Sequence, residues 1–147
     1  MKTENYTITI PRYIDNGNGT VTDTTTNLMW QKGQSSTTYD WYRASGTYHA
    51  GYNSNGVNVC GSLNLAGYSN WRLPSIDELK TIITGTTSPT IDTSVFTVDL
   101  YYMLFWSSTT ATGVGYQDYV WSVDFNGGAG SIFYYNRGSY LSVRCVR

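Results

Sequence analysis

Gly67-Tyr68-Ser69-Asn70-Trp71-Arg72-Leu73-Pro74-Ser75-Ile76-Asp77-Glu78 is the stretch from which the fold is best read. In its last four residues the Ser75 hydroxyl can accept from the Glu78 N–H while the Glu78 carboxylate returns to the Ser75 N–H. That is a capping box, and Asp77 adds negative charge at the positive end of the helix. Ile76, Leu79, Ile82 and Ile83 then recur at spacings of three and four, and Gly85 offers a stop. The spacing predicts a short amphipathic helix over residues 76–83. The cap geometry also accounts for Asp77 and Glu78, so they are assigned structure rather than a catalytic carboxylate pair.

Upstream, Tyr6-Thr7-Ile8-Thr9-Ile10 alternates with period two, Arg12-Tyr13-Ile14-Asp15 follows, and Asn16-Gly17-Asn18-Gly19 leads into Thr20-Val21-Thr22-Asp23. Asn-Gly pairs supply the positive φ of tight turns, so this region predicts two strands around a turn. Asp15 to Gly19 resembles a calcium loop only in part, because Thr26 stands where a bidentate Glu is needed. Leu28-Met29-Trp30-Gln31 predicts a further strand. The hydroxyl residues Ser35 to Thr38 offer a cap for a first helix over residues 39–48, interrupted by Gly46. Residues 51–61, rich in Asn, Ser and Gly, predict a surface loop.

Downstream, strands resume at Leu104. In Tyr119-Val120-Trp121-Ser122-Val123-Asp124-Phe125 the odd positions are large and apolar, which predicts a buried Trp121 face and a wet face carrying Ser122 and Asp124. Asn126-Gly127-Gly128 predicts a turn towards a strand from Ser131 to Tyr135. A last strand over residues 140–146 puts Leu141, Val143 and Cys145 on one inward side.

Length and composition bound the classes. A chain of 147 residues suits one domain, and 14 Tyr, 5 Trp and 15 Gly with 13% charged residues describe short strands and tight turns. The net charge of −1 leaves no basic field for nucleic acid or an anionic membrane. No apolar run reaches membrane-spanning length, and Met1-Lys2-Thr3-Glu4-Asn5 lacks the apolar stretch of a signal peptide. Cys60 and Cys145 are too few for a four-cysteine zinc site, leaving a disulfide or two buried thiols. His49, the only histidine, reads as a solvent-exposed bystander, and no metal or cofactor is expected.

The blocks Asp15 to Asp23, Leu28-Met29-Trp30, Gly67 to Pro74, Phe105-Trp106-Ser107-Ser108-Thr109 and Val143-Arg144-Cys145-Val146-Arg147, in this order, resemble the signature of the DUF1566 (Lcl C-terminal) family. The resemblance implies an α+β, C-type-lectin-like fold with two helices packed on small antiparallel sheets. It also implies a disulfide between Cys60 and Cys145, which takes up both cysteines and leaves no nucleophile for chemistry of the formylglycine-generating type. Pro11, Pro74 and Pro89 lie in no Glu-Pro-Asn or Gln-Pro-Asp tripeptide, so calcium-dependent sugar binding is not expected.

What remains is a binding surface, and no catalytic residue is assigned. The C-terminal third offers Tyr116, Asp118, Tyr119, Asp124, Asn126, Tyr134, Tyr135, Asn136, Arg137, Ser139 and Tyr140 as ligand-binding candidates. Tyr, Ser, Asn, Asp and Gly make adaptable contact faces, since a Tyr ring adds area at little rotamer cost. Period-two packing would place about half of these tyrosines in the interior. Domains similar to this one serve as variable proteins of diversity-generating retroelements, which implies a diversified face between Gly113 and Tyr140 on a Trp106, Trp121, Phe125 and Val143 framework. The expected partner is a protein or glycan on a cell or virion surface, which makes the expected location extracellular, cell-surface or virion-associated. A fixed-specificity adhesin for glycans or glycosaminoglycans is the competing expectation, weakened by having only Arg137, Arg144 and Arg147 as basic residues in the C-terminal third.

Overall fold

The computed structural model describes residues 3–127 and 132–147. Among these, two three-stranded antiparallel sheets and two short helices make an α+β arrangement. The first sheet holds β1 (Tyr13–Asp15), β2 (Thr20–Asp23) and β3 (Leu28–Gln31) in that order, with Ile14 opposite Thr22 and Val21 opposite Trp30. The β1–β2 turn is the Asn-Gly segment, where Gly17 and Gly19 take φ of 73° and 86°, a region open to glycine at no steric cost. Asp15 serves this turn: its Oδ1 accepts from the Gly17 N–H and its Oδ2 meets Lys32 Nζ at 2.7 Å.

The two strands predicted around the turn form as β1 and β2, but the alternating residues 6–10 join neither. Residues 3–11 lie outside both sheets, with Tyr6, Ile8 and Ile10 at 82%, 87% and 69% exposure. Alternation shapes a strand but supplies no partner, and β1 pairs only with β2, over its three residues.

Helix α1 spans Trp41–Ser45, shorter than the predicted 39–48, and its N-cap is Asp40, whose carboxylate accepts from the Arg43 N–H. The hydroxyl residues expected to cap it are drawn to the C-terminal segment instead. Ser35 N–H donates to Val143 O, the Val143 N–H donates to Ser35 Oγ, and Tyr39 and Leu141 exchange backbone hydrogen bonds. Gly46 at φ 78° ends the helix, where a Cβ would also collide with Asn58.

Helix α2 (Ile76–Thr81) carries the predicted capping box: Glu78 N–H to Ser75 Oγ at 3.1 Å and Ser75 N–H to Glu78 Oε1 at 2.8 Å. It stops at Ile82, earlier than expected, because the Ile82 and Ile83 amides bond three residues back to Leu79 and Lys80. Arg72 grips Glu78 through two hydrogen bonds of 2.7 Å, and its backbone pairs in both directions with Val146. Trp71 is buried, with its Nε1–H donating to Tyr68 O. The Trp-Arg-Leu-Pro block thus ties the start of α2 to the end of the chain.

The second sheet holds β4 (Leu104–Thr110), β5 (Tyr119–Asp124) and β6 (Ile132–Asn136) in that order. The predicted turn after Asn126 passes out of the described residues at Gly128, and Ser131 lies outside them too. Here the expected division of β5 into a buried and a wet face is corrected: Val120 and Ser122 are fully buried, whereas Trp121 is half-buried. The cause is a core on each side. Val123, Phe105 and Phe125 join α2 and the first sheet in one cluster, while Val120 and Trp106 join α1, Trp71, Leu141 and Val143 in another. The C-terminal segment covers the second side, with Ser142 bridging Leu104 and Trp106 by backbone hydrogen bonds.

That segment forms isolated bridges rather than a continuous strand, and residues 141–146 are all buried. Leu141, Val143 and Cys145 point into the second core as predicted. The Arg144 guanidinium donates to four backbone carbonyls, those of Gln31, Lys32, Gly33 and Thr97, and lies 5.3 and 5.4 Å from the Phe96 and Phe105 rings. Complete burial pushes its pKa down to about 9, so it is still a cation at neutral pH. Cys60 and Cys145 form a disulfide with a Cα–Cα distance of 5.6 Å.

His49 is no bystander. Its half-buried ring lies 4.4 Å from Tyr42 and 5.0 Å from Tyr52, and Nδ1 accepts from the Gly51 and Tyr52 amides, closing the loop after α1. No helix among the described residues is long and apolar enough to cross a membrane.

Candidate functional site

Cross-strand partners share a face of a sheet and neighbours along a strand do not, and this rule sorts the ligand-binding candidates. Tyr119 pairs with Asn136 and Trp121 with Tyr134, so these four belong to one face of the second sheet. Val120 pairs with Tyr135 and Leu104 with Asp124, which puts Tyr135 and Asp124 on the other. A single ligand cannot meet them all across one surface.

On the first face the rings of Tyr116, Tyr119, Trp121 and Tyr134 form an edge-to-face cluster. Tyr134 lies 5.2 Å from Tyr116, 5.5 Å from Tyr119 and 5.4 Å from Trp121. Each contact is close to perpendicular, the arrangement that sets a positive ring edge on a negative ring face. A hydrogen bond with the Tyr116 phenol raises the Tyr134 pKa above its ordinary value. Tyr116 and Tyr134 remain exposed in this cluster and line, with Ala111, Thr112 and Trp121, a groove of about 220 Å³. On the far side of Trp121 a second groove of about 410 Å³ runs between α2 and the sheet, past Ile76, Lys80, Thr109 and Ile132. Trp121 is the shared wall. It was assigned to the core framework because its strand alternates, and only the open space beside β6 reveals its partial exposure.

The other candidates disperse. Tyr135 is half-buried against the second core. Asp118 offers its carbonyl to the Arg137 N–H, and Asn136 closes the turn after β6 by accepting from Gly138 and Ser139. Ser139 is a half-buried member of that turn. The Arg137 guanidinium stacks 4.7 Å over Trp41, its buried Nε has no hydrogen-bond partner, and no carboxylate pairs with it among the described residues. Asp124, Asn126 and Tyr140 gather on the opposite face around a separate pocket that Tyr101 and Tyr102 also line. Those two tyrosines are absent from the sequence-based set, although Leu100-Tyr101-Tyr102 is a run of three large residues that no alternating strand could bury whole.

Among the described residues no group of three or more His, Cys, Asp or Glu side chains converges to hold a metal ion. The disulfide occupies both cysteines.

A family model described as the Lcl C-terminal domain matches residues 19–147. The chain belongs to the Lcl C-terminal domain family. The match begins at Gly19, the last residue of the Asn-Gly turn, and takes in β2, β3, both helices, the whole second sheet and the disulfide, leaving β1 and the residues before it outside. Within this Lcl C-terminal domain the Trp-Arg-Leu-Pro block and the Val-Arg-Cys-Val-Arg ending are joined by the Arg72–Val146 bridge. No curated protein and no solved structure matches the chain.

Proposed function

We propose that this Lcl C-terminal domain is a non-catalytic binding domain of C-type-lectin-like fold. Its Tyr116, Tyr119, Trp121 and Tyr134 face holds a protein or glycan on a cell or virion surface. The observation that carries the reading is the edge-to-face cluster: three aromatic rings on the sheet and the Tyr116 ring from the turn before β5 packed against one another, two of the four exposed, beside open grooves. Rings fixed before contact lose little freedom on binding, so their area converts efficiently into affinity. The fold assignment draws on two helices packed against small sheets and on the pairing of Met29 with Arg147 near the chain end. The disulfide is compatible with an extracellular setting.

The same domain serves, in this proposal, as the variable protein of a diversity-generating retroelement. Supporting this, Trp106, Phe125 and Val143 are fully buried, whereas Tyr116, Asp118, Asn126, Tyr134, Asn136 and Tyr140 between and beside them are exposed. Substitution at the exposed set leaves the core untouched.

Deep sequencing of the gene's 3′ end in its source population tests the diversified reading: codons for exposed positions within residues 116–140 vary at adenines, while those for Trp106 and Val143 do not. An invariant segment removes diversification and leaves a fixed-specificity adhesin. Beads coated with the protein should adhere to cells of the same source and lose adhesion on Tyr116→Ala with Tyr134→Ala at unchanged fold. Undiminished adhesion by that double variant would remove the face from the binding role.

A further inference from the structure

We infer that the pocket on the opposite side of the second sheet, between the loop that ends at Met103 and Tyr140, is a separate site for a neutral saccharide unit. This site does not depend on the aromatic face described above. The concavity measures about 180 Å³, on the scale of one pyranose ring, and has Tyr101, Tyr102 and Tyr140 on its rim and Asp124, Asn126 and Thr38 among its polar lining. The three tyrosines are 92%, 55% and 62% exposed. A sugar ring has an apolar C–H face and an equatorial belt of hydroxyls. It therefore suits a site that combines aromatic surfaces with hydrogen-bonding groups of both polarities.

Those groups are available. Asp124 Oδ1 accepts from the Asn126 N–H at 2.8 Å, and its second oxygen has no partner among the described residues. Asn126 Oδ1 accepts from Ser88 Oγ at 3.1 Å, and its amide N–H groups have no acceptor among the described residues. Asp124 thus supplies an acceptor and Asn126 a donor, the pair that neighbouring sugar hydroxyls satisfy.

The rim is held before any ligand arrives. Gln34 clamps the loop at both ends, its Oε1 accepting from the Asp99 N–H at 2.9 Å and its Nε2 donating to Tyr102 O at 3.0 Å. Ser142 Oγ donates to the same Tyr102 carbonyl at 3.1 Å. These bonds fix the backbone from which Tyr101 and Tyr102 project, lowering the ordering cost on binding.

Charge selects the class of sugar. No Lys or Arg lines the pocket, and Asp124 places a carboxylate in it, so a sulfated or uronic saccharide meets repulsion without compensation. The ligand is a neutral hexose or N-acetylhexosamine unit within a glycan.

The test is an array of neutral hexose and N-acetylhexosamine oligosaccharides beside heparin-derived sulfated ones, followed by saturation-transfer NMR on the oligosaccharides that bind. The expected result is binding to at least one neutral oligosaccharide and to no sulfated one. Tyr102→Ala with Tyr140→Ala should lower that affinity by about tenfold or more, because two aromatic contacts are lost. Tyr116→Ala with Tyr134→Ala should leave it unchanged. A melting curve on each variant separates loss of the site from loss of the fold, and Tyr140→Phe, which keeps the ring, should retain binding. The proposal is overturned if no neutral oligosaccharide binds at millimolar concentration, if the sulfated set is preferred, or if loss follows the Tyr116 and Tyr134 pair instead.

Discussion

Reducing the Cys60–Cys145 bridge should destabilise the domain by an amount set mainly by chain length. The two cysteines are 85 residues apart, and the loop they close contains α2 and the whole second sheet. A cross-link of that span removes about 15 cal/mol/K of entropy from the unfolded chain, or about 4.5 kcal/mol at 25 °C. The dependence is logarithmic, so a loop half as long would lose only about 0.6 kcal/mol of this. With a urea slope of about 2 kcal/mol/M for a chain of this size, reduction should move the unfolding midpoint down by roughly 2 M. Both cysteines are buried, so the protein is unfolded in a phosphine reductant and refolded with it present, then titrated with urea beside the oxidised form. Reduction without mutation keeps both sulfurs in the core and isolates the cross-link from packing, which a double Ala variant would not do. A midpoint shift below about 0.5 M at unchanged slope would refute the reasoning, because it would mean that the unfolded chain gains little freedom when the bridge opens.

Trp71→Ala should cost about 3 to 5 kcal/mol in chemical denaturation, since the ring is buried in the second core, while the half-buried Trp121→Ala should cost about half as much; equal losses would contradict the assigned exposures. Arg144→Met should cost about 3 to 5 kcal/mol because four carbonyls lose the guanidinium at once, Lys32 O keeping a second donor in the Thr97 N–H, and Arg144→Lys should recover only part, its single ammonium being unable to span them; a Met variant as stable as the parent would show that the guanidinium is no clamp. The Arg72 hydrogen bonds hold the Glu78 carboxyl below its usual pKa, so its stabilisation is complete above the ordinary carboxylate range of about 4.5 and is lost as pH falls through the lower folded value. The melting temperature of the parent should therefore exceed that of Glu78→Gln at pH 7 and converge towards it in acid, and a gap that widens on acidification would reverse the sign of the argument.

Local chemistry was legible wherever a residue's partner lies within a few positions. The Ser75–Glu78 box, the Asn-Gly turn and the β2, β3 and β4 strands belong to this class, because capping and turn geometry are satisfied inside a short segment. The Cys60–Cys145 pairing was legible only through family resemblance, since nothing local joins residues 85 positions apart. Where a segment's partner is distant, the sequence was silent or misleading. Ser35 to Thr38 have the composition of a helix cap, yet their region is drawn to residues 141–143, so Asp40 caps α1. Tyr6 to Ile10 have the alternation of a strand and find no neighbour.

The binding candidates divide in the same way. Composition alone brings out the Tyr-rich C-terminal third, because residue type is a local property. Which tyrosines face the same space depends on strand register: Trp121 opposite Tyr134 and Val120 opposite Tyr135 send adjacent residues to opposite sides of the sheet. Only the packed sheet, with a core against each face, decided that Trp121 borders open grooves, that Tyr135 turns inward, and that Tyr140 joins Tyr101 and Tyr102 across 38 residues of chain. Side-chain chemistry is written residue by residue, but a surface is a relation between strands, and that relation exists only once the chain has folded.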